Sequence, residues 1–128
     1  MSNLLKKYNI EDLLGKEFEW GVNDCYTLCV EVLGRNGIKI PKFNTKPDEI
    51  KVYELYTRYN KYFKRHEIPQ SLSIVALKVK YPFVTHFGIC LEYPYFIHVM
   101  QKRNVCIERL DSLLWKGRID GYYTYEKS

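Results

Sequence analysis

The sequence changes character near Pro69, and this change constrains the fold more than any other feature. Before Pro69, apolar residues recur at helical spacing. After it, short segments rich in β-branched and aromatic residues alternate with turn residues. The predicted strands are 72–80, 83–92, 95–101, 104–110 and 121–125, with a turn or short helix at 111–117. Helices followed by an antiparallel β-meander define the α+β class. At 128 residues we expect one domain, 1–128.

Two helical segments are predicted at the beginning of the chain. Residues 3–14 are predicted as one or two helical turns, and residues 24–34 form the clearest helix. Asn23 or Asp24 can cap the start of this helix. Its apolar residues follow the spacing i, i+3, i+4, i+7, i+8 of one buried helix face. These residues are Cys25, Leu28, Cys29, Val32 and Leu33.

Composition and charge argue against a membrane protein and against a nucleic-acid-binding protein. The net charge of +5 is spread along the chain rather than gathered into a basic stripe. No window approaches the roughly 18 apolar residues that a membrane span needs. Residues 1–7 do not have the pattern of a secretory signal. We therefore expect synthesis in a bacterial cytoplasm, with the four cysteines reduced. Their spacing also lacks the C-x2-C pairs of a zinc site, and Cys25 and Cys29 are four residues apart.

Cys25 begins the predicted helix, and this position distinguishes it from the other cysteines. A thiol at a helix N-terminus feels the helix dipole and unpaired backbone N–H groups, which both favour the nucleophilic thiolate. The same N–H groups can stabilise an oxyanion. The alternative is a small buried hydrophobic residue, which is our interpretation of Cys29, Cys90 and Cys106. An activated thiolate predicts that Cys25 is alkylated faster than these three.

Two of the three histidines lie where they can serve such a thiol. His86 is early in a predicted strand, and Gly88 leaves room beside it for another group. A hairpin brings His98 close to the level of His86, so that one imidazole can take a proton while the other orients it. The alternative for His86 is a hydrogen-bonded core histidine. His66 is flanked by charged residues, and we expect it to be exposed and inert.

Three segments carry a resemblance to a known family. They are 18–28 (FEWGVNDCYTL), 86–91 (HFGICL) and 96–98 (FIH). Their order resembles the NlpC/P60 superfamily of papain-like cysteine peptidases, whose pattern runs aromatic-x-Trp-Gly, Asp-Cys, His-Val-Gly-Ile and hydrophobic-His. Residues 37–41 (GIKIP) and 114–118 (LWKGR) are similar to segments of the NlpC/P60 domains in bacteriophage tail-assembly proteins.

The resemblance implies a fold, a reaction and a set of site residues. The fold is a nucleophile at a helix N-terminus packed on an antiparallel β-meander. The reaction is hydrolysis of an amide in peptidoglycan stem peptides, typically between D-γ-glutamate and the following diamino acid, with no metal or cofactor. Cys25 is then the nucleophile, His86 the general base and His98 the residue that orients His86. The implied substrate-binding residues are Phe18, Trp20, Asp24 and Tyr26. The setting is a phage virion, in its tail.

Part of the chain departs from the family pattern. Tyr26 and Thr27 replace the serine and glycine that many members carry after the cysteine. Residues 48–63 are predicted as a helix with several tyrosines, within a helical insertion at about 42–70 that we expect to bind phage tail proteins. Two other functions remain open: a tail structural or assembly protein that uses the fold for binding, and a cytoplasmic amidase or acyltransferase on a non-wall substrate.

Overall fold

The computed structural model describes residues 1–42 and 49–126. The helices are α1 (Ser2–Tyr8), α2 (Cys25–Arg35) and α3 (Glu49–Tyr59), with 3₁₀ turns at Glu11–Leu13 and Asn60–Tyr62. The strands are β1 (Phe63–His66), β2 (Ser73–Leu77), β3 (His86–Cys90), β4 (Tyr95–His98), β5 (Cys106–Arg109) and β6 (Ile119–Tyr125). None of the helices within the described ranges is long and apolar enough to cross a lipid bilayer.

The six strands form one antiparallel sheet in the order β1-β6-β2-β3-β4-β5. Strands β2 to β5 form the predicted meander, which confirms the α+β class. The last strand, β6, returns along the other side of β2 and separates it from β1. Consequently β5 and β1 are the two edges of the sheet.

The sheet buries both of its faces. Helix α2 packs across β3, and the predicted helix stripe is buried there against Phe87, Ile89 and Leu91. The opposite face of the sheet carries a second core, formed by residues of β2, β3, β4 and β6 and of the segment after β5. This second core contains Val75, Leu77, Cys90, Phe96, Leu110, Trp115 and Tyr122. Alternation along β3 places His86 on the side of the second core, at the end of the strand nearest the start of α2.

Strand β1 was not predicted from the sequence. The prediction of a helix over 48–63 is met by α3 up to Tyr59 and the 3₁₀ turn after it, while residue 48 lies outside the described residues. Phe63 instead begins β1, where it pairs with Tyr125 of β6 and contacts its ring at 5.4 Å between centroids. Residues 64–66 are all basic and show no alternation of apolar residues, because this edge strand is half-exposed.

Candidate active site

Asp24 fixes where α2 begins and therefore where Cys25 lies. Its buried carboxylate accepts hydrogen bonds from the backbone N–H groups of Tyr26 at 3.0 Å and Thr27 at 2.9 Å, and from that of Gly21 at 2.8 Å. In return the Thr27 hydroxyl accepts from the Asp24 N–H at 2.7 Å. This reciprocal pair is a capping box, and it holds Cys25 as the first residue of the helix.

The Cys25 thiol is protonated at rest. Burial first, and then the negative charge of Asp24, raise its pKa, which lies at about 12. Backbone N–H groups, that of Phe87 first, act in the opposite direction and lower the pKa. The expectation of a thiolate at Cys25 is therefore corrected. The helix N-terminus does stabilise a negative sulfur, but the free-energy cost of removing that charge from water is larger. A base must take the proton before the sulfur can attack.

His86 and His98 form a buried pair, as the sequence predicts. His86 Nε2 lies 2.8 Å from His98 Nδ1, and the two side chains are 5% and 1% exposed. Gly88 makes this approach possible. A Cβ atom at Gly88 would lie 3.1 Å from the His98 Cβ and 3.0 Å from the Ile97 carbonyl oxygen. Any other residue would therefore push β4 away from β3.

Glu108 determines which nitrogen of each imidazole carries the proton. Its Oε2 lies 2.5 Å from His98 Nε2, and this hydrogen bond is the main cause that lowers the Glu108 pKa. An ionised carboxylate only accepts hydrogen bonds, so His98 Nε2 carries a hydrogen, and in the neutral imidazole Nδ1 is then the acceptor. His86 then donates through Nε2, and its Nδ1 keeps a free lone pair. Burial, reinforced by His98, also lowers the His86 pKa and keeps this ring neutral.

Trp115 fixes the planes of both rings. Its indole stacks on His86 with centroids 5.9 Å apart at 25°, and it meets His98 edge-on at 5.2 Å. The indole N–H also lowers the pKa of Glu108, although its geometry falls short of a full hydrogen bond. Among the described residues, its nitrogen is the only buried side-chain nitrogen or oxygen without a hydrogen-bond partner.

Cys25 and His86 line one cleft at the end of the sheet. The cleft is small, with a volume of about 40 Å³, and Phe18 and Trp20 form part of its wall, with their rings edge to face at 4.8 Å. The other lining residues are Val79, Thr85, Val99, Met100 and Gln101. His98 is not among the lining residues, because it lies behind His86. From the cleft, the hydrogen-bonded series therefore runs from His86 to the buried His98 and then to Glu108 on edge strand β5.

The four predicted substrate-binding residues separate into two pairs. Phe18 and Trp20 line the cleft, whereas Asp24 and Tyr26 do not. Asp24 caps the helix, and the Tyr26 hydroxyl donates to the Pro41 carbonyl oxygen at 2.6 Å. The Tyr26 ring lines a different, apolar pocket beneath α3. Side chains of consecutive helix residues point about 100° apart, so Tyr26 cannot follow Cys25 into the cleft.

The residues that were set aside at the sequence level also differ from one another. Cys29 and Cys90 are fully buried, in agreement with the interpretation as core residues. Cys106 is half-exposed, and its sulfur lies 3.8 Å from His98 Nε2 and 3.7 Å from Glu108 Oε2. The interpretation of Cys106 as a core residue is therefore wrong. His66 was expected to be exposed, but it is half-buried on edge strand β1, with Nε2 2.8 Å from the Thr124 hydroxyl.

Sequence reasoning missed Glu108 and gave Trp115 no role beside the histidines. Glu108 follows Cys106 by two residues in one strand, so both side chains lie on the same face. That alternation was visible in the sequence. The missing information was the register of β4 on β5, which pairs His98 with Cys106 and brings Glu108 next to the imidazole.

The fold itself is that of known proteins. No protein-family model matches the sequence, and no curated protein matches it either. Among solved structures, the chain is similar to a Staphylococcus aureus (subsp. aureus Mu50) protein described as similar to lipoprotein, of the NLP/P60 family, with a TM-score of 0.66 and 18% sequence identity. The match covers 98% of this chain and 41% of that one, so this chain spans less than half of its neighbour's length. The chain has the papain-like NlpC/P60 fold, which confirms the fold prediction.

Proposed function

We propose that the protein is a cysteine-dependent amide hydrolase that acts on peptidoglycan stem peptides. One observation carries this proposal: Cys25 and a neutral His86, held by His98 and Glu108, line the same cleft. A nucleophile, a base and a group that orients the base are the parts that covalent acyl transfer needs.

The reaction begins with transfer of the thiol proton. His86 Nδ1 accepts it as the Cys25 sulfur bonds to the carbonyl carbon, and the carbonyl oxygen becomes an oxyanion near the backbone N–H of Cys25. The new positive charge on His86 is stabilised through His98 by the Glu108 carboxylate. The tetrahedral intermediate then collapses, the C–N bond breaks, and His86 returns the proton to the leaving amine. A water molecule, deprotonated by His86, hydrolyses the thioester and regenerates the thiol.

The substrate class is supported by two independent likenesses. The sequence segments around Cys25, His86 and His98 resemble the NlpC/P60 pattern, and the fold is similar to that of a protein of the NLP/P60 family. We extend the proposal to the bond between D-γ-glutamate and the diamino acid, with Phe18 and Trp20 contacting the stem peptide. The phage-tail setting and a non-wall amide substrate remain predictions from the sequence.

The test is digestion of purified peptidoglycan followed by analysis of the released muropeptides. We expect wild type to release peptides with a new N-terminal diamino acid, and Cys25→Ala to release none. Cys29→Ala is the matched control, because it removes a thiol one turn further along the same helix. It is expected to keep the activity. Identical digests from wild type and Cys25→Ala would refute hydrolysis.

A second function, binding to the wall or to a tail protein without cleavage, is favoured by one observation. The Cys25 thiol is 4% exposed and its pKa lies near 12, which suits a thiol that does not react. Sedimentation with insoluble peptidoglycan separates the two functions. A wild type that binds as tightly as Cys25→Ala but releases no peptide would favour binding over hydrolysis.

A further inference from the structure

Three side chains of types that bind metals meet at His98, the inner member of the histidine pair. His98 Nε2, Cys106 Sγ and Glu108 Oε2 lie within 4.8 Å of one another, on adjacent strands β4 and β5. The two distances to sulfur are 3.8 Å from the nitrogen and 3.7 Å from the carboxylate oxygen, and the nitrogen and oxygen are 2.5 Å apart. The acid–base mechanism makes no use of the thiol in this group.

We propose that His98, Cys106 and Glu108 bind a divalent cation of the zinc class, and that the bound cation prevents His86 from acting as a base. A tetrahedral zinc with one nitrogen, one sulfur and one oxygen ligand separates these atoms by about 3.3–3.6 Å. Both distances to sulfur already approach this range. Only the nitrogen–oxygen distance must open, and the Glu108 side chain is 30% exposed and free to turn outward.

The site meets the other requirements of a metal centre. It lies on edge strand β5, so Cys106 and Glu108 are reached from solvent, while His98 approaches from the buried side. The fourth position is left to water. The far nitrogen of His98 already has a partner in His86, as ligating histidines usually require. A nitrogen, a thiolate and a carboxylate select zinc-like ions over magnesium or calcium.

The effect on His86 follows from proton positions. A cation on His98 Nε2 needs the lone pair of that nitrogen, so the imidazole hydrogen must move to Nδ1. His98 Nδ1 then donates to His86 Nε2, and the His86 hydrogen moves to Nδ1, the ring nitrogen that is not bonded to His98. Both rings stay neutral, and the only proton released to solvent is that of the Cys106 thiol. His86 can no longer accept the proton of Cys25; this consequence rests on the proposed function.

The binding test uses Co²⁺ on untagged, metal-free protein. We expect one Co²⁺ per chain, with a thiolate-to-cobalt charge-transfer band in the near ultraviolet, in wild type and in Cys25→Ala. Cys106→Ser should lose the band and bind Co²⁺ at least about tenfold more weakly, with an unchanged far-ultraviolet circular dichroism spectrum. Persistence of the band in Cys106→Ser, or its loss in Cys25→Ala, would overturn the site. Neither readout depends on hydrolysis.

The switching test follows the histidine nitrogens by ¹⁵N nuclear magnetic resonance. Without metal, His86 Nδ1 is expected to be unprotonated; with one equivalent of Zn²⁺ it should carry the hydrogen. Stoichiometric Zn²⁺ should also lower peptidoglycan hydrolysis at least tenfold in wild type, and chelation should restore it. Cys106→Ser should retain its activity in Zn²⁺. Binding without the change at His86 would overturn the switch. An inactive metal-free wild type would instead count against the proposed function.

Discussion

Two partly buried polar networks lie on opposite halves of the sheet, and they are built differently. On the β2–β6 half, the hydroxyls of Tyr56 and Tyr123 lie 2.9 Å apart, and each lies within hydrogen-bond distance of the Asp120 carboxylate, at 2.9 and 2.7 Å. On the β3–β5 half, His86, His98 and Glu108 form an open series. In this triangle each hydroxyl has one hydrogen, and both hydrogens find an acceptor within it. In the series, the last member keeps a free lone pair at His86 Nδ1.

This difference distinguishes structure from chemistry. A closed network stabilises and specifies packing, because its groups are satisfied within the protein. An open network that ends in a cleft holds an acceptor for a group from outside. Tyr56 belongs to the insertion at about 42–70 that was expected to bind tail proteins, and its hydroxyl instead serves internal packing. The following changes test this contrast, beginning with the largest effect.

Gly88→Ala should disrupt the open series most severely. The added methyl group would lie 2.8 Å from the Phe96 ring and 3.0 Å from the Ile97 carbonyl oxygen, and backbone cannot yield cheaply. We expect a loss of about 1–3 kcal/mol in the free energy of unfolding, measured by urea denaturation. Hydrolysis should be lost even in the folded fraction, because β4 carries His98 away from His86.

Gly34→Ala is the matched control for this change. Gly34 lies on the exposed side of α2, and a Cβ there meets nothing within 4 Å. Alanine should raise the free energy of unfolding by about 0.5–1 kcal/mol and leave hydrolysis intact. Equal behaviour of the two variants would contradict the close approach of β3 and β4.

His98→Ala should lower kcat about 10²–10³-fold with little change in KM, because it leaves the base in place but removes the group that orients it. Steady-state kinetics on a soluble stem peptide measure this split. His66→Ala is the control: His66 bonds to Thr124 on the other half of the sheet, and its loss should leave kcat unchanged. A fall in both variants would indicate a general loss of structure instead.

Local patterns in the sequence predicted the parts of the site that depend on one element. The capped helix that begins at Cys25 and the room beside Gly88 follow from spacing and residue size, and both are confirmed. The contribution of Glu108 depends on how β5 pairs with β4, which no local pattern encodes.

The protonation state of Cys25 was predicted wrongly for a related reason. Its position at the helix N-terminus is a local feature, but its burial comes from the whole core around it. Desolvation is therefore the quantity that sequence reasoning could not weigh against the helix dipole.

Alkylation of Cys25 by iodoacetamide should show this protonated state directly. With a pKa near 12, the thiolate fraction and the alkylation rate should rise about tenfold per pH unit from pH 7 to 10, without a plateau. Half-exposed Cys106 should be alkylated faster than Cys25 at pH 8, which reverses the order expected from the sequence. Mass spectrometry of tryptic peptides measures both rates. A rate for Cys25 that is flat above pH 6 would instead show a preformed thiolate.

Tyr56→Phe should produce the smallest effect and test the closed network. It removes the hydroxyl that bonds to Asp120 and Tyr123, while the bond between those two residues remains. We expect a loss of about 0.5–1.5 kcal/mol in the free energy of unfolding and an unchanged kcat. Tyr53→Phe is the matched control on the same helix, because the Tyr53 contact is with the ring of Phe83, and it should be neutral. A fall in kcat for Tyr56→Phe at unchanged stability would show that this tyrosine network takes part in the reaction.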